Sequence, residues 1–346
     1  MKGVQVTGHG DLDKLVFRDD LPVPVPGPRD VLVKVGAAGV NNTDLNTRNG
    51  WYSKSNKSSD ASWSGSPILF PRIQGADVCG TVVAAGEEVD PSFISTRAII
   101  EPCIFEAGGK ELKQPWYFGS ECDGGFAEYT VVAARHAHRI ESNLSDVELA
   151  SFPCSYSTAE NLVTRASVGP NDRLLVTGAS GGVGSAVIQL AKARGASVIA
   201  VTSPAKSDQL KGLGAEHTIA RDRDLSKELG NNCVDVVIDL VAGNQWPALL
   251  DVLKPFGRYA TSGAIAGPLV ELDVRTLYLK DLTLFGCTVL SEEVFPNLVK
   301  RIEGGEVSAL VAKTFALPEI AEAQKQFEAK QHVGKLVIDV TGAGMA

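Results

Sequence analysis

The order of apolar and polar positions changes part-way along the chain. Up to about residue 100, short apolar runs such as residues 31–35, 80–83 and 97–100 alternate with proline and glycine, which is typical of short strands joined by turns. This pattern predicts a twisted, barrel-like β domain. Residues 53–66 are polar and serine-rich, and such a composition cannot bury enough apolar surface to order itself. We expect a mobile loop there, either a surface insertion or a lid over the substrate.

A repeated pattern of strand, turn and helix begins at Arg173. Helical segments of about ten residues separate the strands, an alternation that produces a parallel sheet with right-handed crossovers. Six strands are predicted, at residues 174–177, 197–201, 217–220, 234–240, 258–262 and 282–286. The helix after the first strand has one apolar face, with Gly195 as its stop. This part of the chain is therefore predicted to be a doubly wound sheet of six parallel strands.

The string GASGGVG lies between the first of these strands and its helix. A pyrophosphate group must approach backbone N–H groups at a helix N-terminus, where a Cβ atom would block it. The string therefore predicts a dinucleotide site, and the alternative is a tight turn whose glycines serve packing. The residues predicted to hold the cofactor here are Gly178, Ser180, Gly181, Gly182 and Val183.

The end of the second strand indicates which nicotinamide cofactor is bound. An NAD site places an acidic residue there, about 20 residues after the first glycine, for the ribose 2′-hydroxyl. This chain reads VIAVTSPAKSDQL and offers Thr202, Ser203 and Lys206, while Arg221 follows the third strand. Hydroxyl groups and cations suit a 2′-phosphate. We predict NADP (NADPH), and the alternative is that Lys206 and Arg221 are ordinary solvated charges.

Composition narrows the class of protein. A chain of 346 residues is long enough for two domains. The net charge of −8 disfavours nucleic acid and anionic membranes as partners. The start of the chain lacks an apolar signal and no run is long enough to span a bilayer, so we expect a cytoplasmic protein. The six cysteines stand singly, without the C-x-x-C pairs of structural zinc or redox sites.

Several strings occur together along nearly the whole chain. They are GVNNTDLNTRNGWY (39–52), GADVCGTVVAAGEEV (75–89), GGFAEY (124–129), STAENL (157–162), GASGGVG (178–184) and GKLVIDV (334–340). In this order they resemble the medium-chain dehydrogenase/reductase superfamily, and within it the zinc-free quinone oxidoreductase and enoyl reductase branch. The resemblance implies an α/β protein with a GroES-like substrate domain, residues 1–154 and 289–346, and a Rossmann NADP-binding domain, residues 155–288.

The zinc-containing members of this superfamily place a Cys two residues after the glycine of the first string and a His-Glu pair after the glycine of the second. Here Asn41 and the Ala76-Asp77 pair stand at these positions, and only Cys154 matches the third ligand. One thiolate and one carboxylate cannot build a catalytic zinc site, so we predict no metal. The acceptor must then already be electrophilic, as quinones and α,β-unsaturated carbonyls are.

The resemblance also implies roles for single residues. Asn41 is a candidate donor to the substrate carbonyl or a residue holding the nicotinamide ribose, and it could equally be a loop asparagine that satisfies the backbone. Tyr52 occupies the place of a proton-donating tyrosine in similar enoyl reductases, or it stacks on the nicotinamide. Lys335 matches a family lysine near the cofactor, or it is an exposed lysine at a strand start. The residues expected near the nicotinamide are Thr158, Ser262, Gly263, Phe285, Gly286 and Cys287.

The leading functional prediction is an NADPH-dependent reductase that transfers hydride to a quinone or an α,β-unsaturated carbonyl without a metal. One alternative is an alcohol dehydrogenase-like NAD(P)-dependent oxidoreductase, and another is a non-catalytic NADPH-binding protein. The partner is expected to be a small-molecule substrate. The resemblance further implies a homodimer paired through the edge strand 282–286, or a tetramer.

Overall fold

The computed structural model describes residues 1–53 and 62–342. Its strands in chain order are β1 (Gly3–Val6), β2 (Leu15–Arg18), β3 (Asp30–Gly39), β4 (Arg72–Ile73), β5 (Asp77–Ala85), β6 (Arg97–Ile100), β7 (Cys103–Ala107), β8 (Lys110–Tyr117), β9 (Tyr129–Ala133), β10 (Ala137–Arg139), β11 (Arg173–Val176), β12 (Ser197–Thr202), β13 (His217–Ala220), β14 (Val234–Asp239), β15 (Leu253–Thr261), β16 (Thr283–Gly286), β17 (Val311–Ala316) and β18 (Lys335–Asp339).

The α-helices of the described residues connect these strands. They are α1 (Asn42–Arg48), α2 (Asp146–Leu149), α3 (Pro153–Arg165), α4 (Gly182–Ala193), α5 (Ser207–Leu213), α6 (Leu225–Leu229), α7 (Trp246–Asp251), α8 (Val274–Leu279), α9 (Val294–Glu303) and α10 (Ile320–Glu328). Each of these helices is too short or too polar to cross a lipid bilayer.

The chain divides into two compact units, which we call the split unit (Met1–Cys154 with Ala309–Ala346) and the continuous unit (Ser155–Ser308). The second boundary was predicted at residues 288/289, whereas the continuous unit extends to Ser308. Contacts within that unit explain the difference. Arg301 of α9 lies 3.5 Å from the buried Glu160 carboxylate of α3, and Tyr156 donates a hydrogen bond of 2.8 Å to the Ser308 carbonyl.

The split unit is built around a seven-stranded sheet of order β10-β6-β5-β3-β18-β17, with β9 also pairing with β3. Alternate residues of β3 point into its core, where Val31, Val33 and Val35 are buried, as the period of a strand requires. The C-terminal strand β18 lies between β3 and β17, antiparallel to β3 and parallel to β17. The two ends of the chain therefore share one sheet.

The continuous unit contains six parallel strands in the order β13-β12-β11-β14-β15-β16. Its central strands are apolar along their whole length because helices cover both faces of such a sheet, and Leu174, Leu175 and Val176 of β11 are all buried. The order matches the doubly wound Rossmann arrangement, in which ligands bind at the carboxyl ends of the strands. The predicted fold class is confirmed.

The serine-rich stretch predicted to be a mobile loop is only partly described. Residues 54–61 lie outside the described residues. Residues 62–66 are anchored rather than mobile, because Ser62 is buried and the Ser64 N–H donates a bond of 2.6 Å to the Glu121 carboxylate. The composition alone could not reveal these partners, since Glu121 lies 57 residues further along the chain.

Candidate active site

The glycine-rich turn of the continuous unit leaves backbone donors open at the start of α4. Gly178 has a φ of +58°, a conformation that favours glycine, and a Cβ on Gly184 would lie 2.4 Å from the Gly178 carbonyl oxygen. Gly181 is the N-cap of α4, and the N–H groups of a first helical turn have no partner within the helix. These features fit a pyrophosphate group.

Polar residues gather at the ends of the neighbouring strands. Thr202 is buried at the end of β12, and its hydroxyl has no hydrogen-bond partner within the described part of the chain. The Lys206 ammonium donates to the Ser180 hydroxyl at 3.4 Å. The backbone N–H of Arg221 donates to the Thr202 carbonyl at 2.9 Å. Burial lowers the pKa of Lys206, and the nearby positive charge of Arg221 lowers this pKa further. An orphaned hydroxyl and two cationic residues at neighbouring strand ends fit a phosphate group.

The residues predicted near the nicotinamide follow the last two strands of the same sheet. Ser262 and Gly263 come directly after β15, and Cys287, directly after β16, donates its N–H to the Thr261 carbonyl at 2.9 Å. Phe285 and Gly286 close β16. Thr158 lies on α3, whose Arg165 donates to the Gly286 carbonyl at 2.8 Å. With the exception of Lys335, the predicted cofactor residues therefore belong to one unit, and most lie at one sheet edge.

A buried carboxylate that the sequence analysis did not identify holds the loops at the carboxyl edge of this sheet in place. Asp239 ends β14 and accepts hydrogen bonds from the Thr177 hydroxyl (2.5 Å), the Tyr259 hydroxyl (2.6 Å) and the Val241 N–H (2.9 Å). The loop it holds approaches the glycine turn, since a Cβ on Gly178 would lie 3.2 Å from Val241. The signal in the sequence was an acidic residue at the end of an otherwise apolar strand, VDVVID.

A second cluster, the lysine cluster, lies in the split unit and consists of Asn41, Asp77 and Lys335. The Lys335 ammonium is 2.5 Å from the Asn41 side-chain oxygen and 2.6 Å from the Asp77 carboxylate. The Asn41 amide nitrogen donates to the same carboxylate at 2.7 Å and to the Gly39 carbonyl at 3.3 Å. All three side chains are buried. Lys335 is therefore not an exposed lysine, and both amide hydrogens of Asn41 are already engaged.

Strand pairing explains why these three residues meet. In the sheet Gly39 of β3 pairs with Asp77 of β5 on one side and with Val337 of β18 on the other. Lys335, two residues before Val337, consequently lies opposite Asn41, because β3 and β18 are antiparallel. A Cβ on Gly39 would lie 2.5 Å from the Asp77 carboxylate, so glycine is required for this close approach.

The residues at the family's zinc positions do not fit a zinc ion. The Cys154 N–H donates to Asp77, and the Cys154 sulfur lies 3.0 Å from the Tyr117 hydroxyl. Burial raises the pKa of Cys154 to about 12, whereas zinc binds thiolate. The only carboxylate at these positions, that of Asp77, is in contact with the Lys335 ammonium and the Asn41 amide. No group of three or more His, Cys, Asp or Glu side chains within residues 1–53 and 62–342 is arranged to hold a metal.

Tyr52 and Thr43 form a hydroxyl pair near the start of α1. Their oxygen atoms are 3.0 Å apart, and burial raises the pKa of Tyr52 to about 12. The phenol is therefore protonated at neutral pH and can donate. Sequence reasoning missed Thr43, although it is nine residues before Tyr52 in the same string. Thr43 lies in the first turn of helix α1 and Tyr52 lies after its end, so the chain must turn back after the helix to bring the two hydroxyl groups together.

Comparisons with known proteins agree with this fold. Residues 27–142 match the alcohol dehydrogenase GroES-like domain, and residues 182–304 match the zinc-binding dehydrogenase domain. The crystal structure of a protein provisionally described as an alcohol dehydrogenase, from Sinorhizobium meliloti 1021, has a TM-score of 0.89 and 43% identity, covering 98% of this chain and 96% of that one. The chain belongs to the medium-chain dehydrogenase/reductase superfamily, a superfamily of oxidoreductases, and the predicted resemblance to that superfamily is confirmed.

The curated relatives carry different activities in their names. The NAD-dependent alcohol dehydrogenase of Sulfurisphaera tokodaii is 28% identical over 95% of this chain and 97% of its own length. The quinone oxidoreductase of Homo sapiens is 25% identical over 98% and 97%. The acryloyl-coenzyme A reductase of Sulfurisphaera tokodaii is 27% identical over 98% and 99%. Membership of the superfamily therefore leaves the substrate and the choice between NAD and NADP open.

Proposed function

We propose that the protein is an NADPH-dependent reductase that transfers hydride to a quinone or an α,β-unsaturated carbonyl compound without a metal. The observation that carries the proposal is the lysine cluster. Its ammonium lies 2.6 Å from the carboxylate of Asp77, and Asp77 and Asn41 stand at positions where zinc-containing members of the superfamily have metal ligands. Without a Lewis acid, the substrate must already be electrophilic, and quinones and enones meet this requirement.

The proposed cofactor is NADPH, held at the carboxyl edge of the parallel sheet. A bound NADPH supplies the hydride. The open N–H groups at the start of α4 bind its pyrophosphate, and the unpartnered Thr202 hydroxyl, with Lys206 and Arg221, binds the 2′-phosphate. The strand end lacks an acidic residue that would repel this phosphate. The Asp239 network keeps the adjoining loop in place.

Tyr52 is the proposed proton donor. Hydride addition to an enone leaves an enolate, which needs a proton at carbon to complete the reduction. The Tyr52 phenol is protonated at neutral pH because its pKa is raised by burial to about 12, and such a group can deliver a proton and recover it. Thr43 orients this phenol through its hydroxyl at 3.0 Å, which makes Thr43 a proposed positioning residue.

The second candidate function is an alcohol dehydrogenase-like activity with NAD or NADP. It is favoured by the name of the relative from Sulfurisphaera tokodaii, an NAD-dependent alcohol dehydrogenase. The engaged Asp77 and the protonated Cys154 thiol count against it, since catalytic zinc needs three protein ligands. We further propose that the enzyme works in the cytoplasm as a homodimer, paired through the outer edge of β16, which has no partner strand among the described residues.

The test is oxidation of NADPH and of NADH by purified, metal-analysed protein. The substrate panel contains quinones, enones, enoyl thioesters, aldehydes and alcohols. We expect turnover of a quinone or an enone with NADPH and less than stoichiometric zinc. For Tyr52→Phe we expect a loss in kcat of about 100-fold on enones, the usual size of a general-acid contribution. Tyr129→Phe, a half-buried tyrosine of β9, is the matched control and should keep full activity.

Turnover confined to alcohols and aldehydes, together with stoichiometric zinc, would contradict the proposal and favour the second candidate. Full activity of Tyr52→Phe would instead assign protonation to solvent and leave the hydride transfer intact. Cofactor binding without turnover of any substrate in the panel would favour a non-catalytic NADPH-binding protein.

A further inference from the structure

The buried ammonium of Lys335 has one hydrogen-bond donor to spare. An ammonium carries three N–H groups, and two of them have acceptors, the Asn41 side-chain oxygen at 2.5 Å and the Asp77 carboxylate at 2.6 Å. No other acceptor in the described part of the chain contacts this nitrogen, and the side chain is only 3% exposed. A buried charged donor without a partner is costly, so an oxygen atom reaching it would bind favourably.

The other members of the lysine cluster cannot play this part. The Asp77 carboxylate already accepts bonds from Lys335, from the Asn41 amide and from the Cys154 N–H. The Asn41 amide donates its two hydrogens to the Asp77 carboxylate and to the Gly39 carbonyl. Asn41 was a candidate donor to the substrate, but with these bonds it serves to hold the Lys335 nitrogen. The unpaired donor of the cluster belongs to Lys335.

The geometry points to Lys335 as a catalytic residue whose ammonium supplies the positive charge that a metal ion provides in zinc-containing members of the superfamily. The inference rests on the proposed function and names the group that stabilises the substrate oxygen. As hydride forms a C–H bond at the β-carbon of an enone, the C=C electrons shift and the carbonyl oxygen becomes an enolate oxygen. Lys335 donates a hydrogen bond to that oxygen and keeps its own proton.

This assignment differs from the role that the family resemblance implies for the same lysine. A lysine that binds the cofactor contributes to cofactor affinity, whereas a lysine that stabilises the enolate oxygen contributes to the rate of hydride transfer. The charge matters most when negative charge develops on oxygen, which happens in the transition state and not on substrate binding. Measuring both kcat and the dissociation constant of NADPH therefore distinguishes the two roles.

The decisive variant is Lys335→Met, which keeps the length of the side chain and removes its charge. With an enone or quinone that the wild type reduces, we expect kcat to fall by about 100-fold, the usual effect of losing one oxyanion donor. The dissociation constant of NADPH, measured by fluorescence, should change by less than about two-fold because the variant leaves the cofactor residues of the continuous unit untouched. Lys313→Met, an exposed lysine on the adjacent strand β17, is the matched control and should behave as the wild type.

Chemical rescue by added amines distinguishes a catalytic role of Lys335 from a purely structural one. We expect methylammonium or ethylammonium to restore part of the activity of Lys335→Ala, with saturation as the added amine fills the space of the lost side chain. Trimethylammonium, which is larger and has a single N–H, should restore less. If Lys335→Met does not fold, the rescue series with Lys335→Ala, checked by circular dichroism, remains a test of the same charge.

The outcomes separate this inference from the proposed function. If the wild type reduces no quinone or enone, the proposed function fails whatever the variants do. If the wild type is active and Lys335→Met retains its kcat, the inference about Lys335 is overturned and the function stands. A loss confined to NADPH affinity would overturn it as well and assign Lys335 to the cofactor. A fall in kcat with unchanged NADPH affinity and amine rescue would support it.

Discussion

Asp44 connects two segments of the split unit through one buried carboxyl group. Its two oxygen atoms accept hydrogen bonds from the Asn41 N–H at 2.7 Å and from the Gly75 N–H at 3.1 Å. The first bond closes a capping box at the start of α1, which stabilises a helix N-terminus. This agrees with the structural role that such a carboxylate has in loops. Burial nevertheless raises the pKa of Asp44 to about 7.

The raised pKa of Asp44 predicts a pH dependence of stability. Its value of about 7 in the folded chain exceeds the value of about 3.9 for an aspartate in an unfolded chain. Between these values the folded state binds more protons, so the contribution of Asp44 to the free energy of unfolding falls as pH rises from about 4 to about 7. Urea unfolding at pH 5 and pH 8 should therefore show a larger difference in the wild type than in Asp44→Asn.

Asp30→Asn provides the control for this comparison, because Asp30 is a half-buried carboxylate at a turn of the same unit. It should leave the difference between pH 5 and pH 8 close to that of the wild type. An equal pH dependence in the wild type and in Asp44→Asn would contradict the prediction and indicate that Asp44 stays ionised throughout.

The sequence identified several residues of the candidate site and missed their connections. Asn41 and Tyr52 stood in one recognisable string, yet the partner that fixes Asn41 lies 294 residues away. No local pattern carries that information, since strand order decides it. Thr43 was missed because a threonine within a helix has no distinctive spacing. Asp239 was missed because its partners come from the two neighbouring strands of the sheet: Thr177 directly follows β11, and Tyr259 lies on β15.

At the level of elements, the Rossmann half could be predicted more closely than the β half. The predicted strand 217–220 coincides with β13, and the predicted strand 174–177 differs from β11 by one residue at each end. Strand β3 extends to Gly39, beyond the predicted end at residue 35, because its last residues are glycine and alanine and show no alternation. Strand β15 begins at Leu253, five residues early, where a register shift occurs in its pairing with β14.

The residues at the ends of β12 and β13 yield a prediction about cofactor choice. Replacing both Lys206 and Arg221 by alanine should weaken NADPH binding by about 100- to 10,000-fold and leave NADH binding nearly unchanged. The reason is that each lost charge-assisted hydrogen bond to a phosphate costs about 1.5–3 kcal/mol, and NADH lacks this phosphate. Fluorescence titration with both cofactors measures the change.

Lys211→Ala, an exposed lysine of the adjacent helix α5, should bind both cofactors as the wild type does. Equal weakening of NADPH and NADH in the double variant would show that Lys206 and Arg221 serve the turn itself, for instance through the contact of Lys206 with Ser180. In that case the discrimination between the two cofactors would have to reside elsewhere.

At the scale of the molecule, the outer edge of the parallel sheet is exposed. Among the described residues strand β16 pairs on one side only. Leu284 on this strand is exposed, as are Val274, Tyr278 and Leu279 on the nearby helix α8. An unpaired edge beside apolar side chains is a typical place for strand pairing between subunits. The homodimer predicted through residues 282–286 stays a prediction, and these exposed apolar residues are the interface that we expect for it.

Light scattering during gel filtration tests this association. The wild type should have twice the chain mass of 36.5 kDa, and Leu284→Lys combined with Leu279→Glu should shift it towards the monomer because both place charge on the paired surface. Leu69→Lys changes an exposed leucine of the split unit and should leave the mass unchanged. A monomeric wild type would remove the prediction, and a mass four times that of the chain would indicate the tetramer.

The central place of β18 in its sheet determines the order in which the enzyme is completed during synthesis. The 294 residues between Asn41 and Lys335 take about 15–60 s to translate at roughly 5–20 residues per second. Throughout that time β3 lacks one neighbour, while the continuous unit, whose chain is uninterrupted, has all it needs to fold. We therefore expect the nascent protein to fold its continuous unit first. The lysine of its buried ammonium is synthesised last, after the Asp77 carboxylate and the Asn41 amide that contact it.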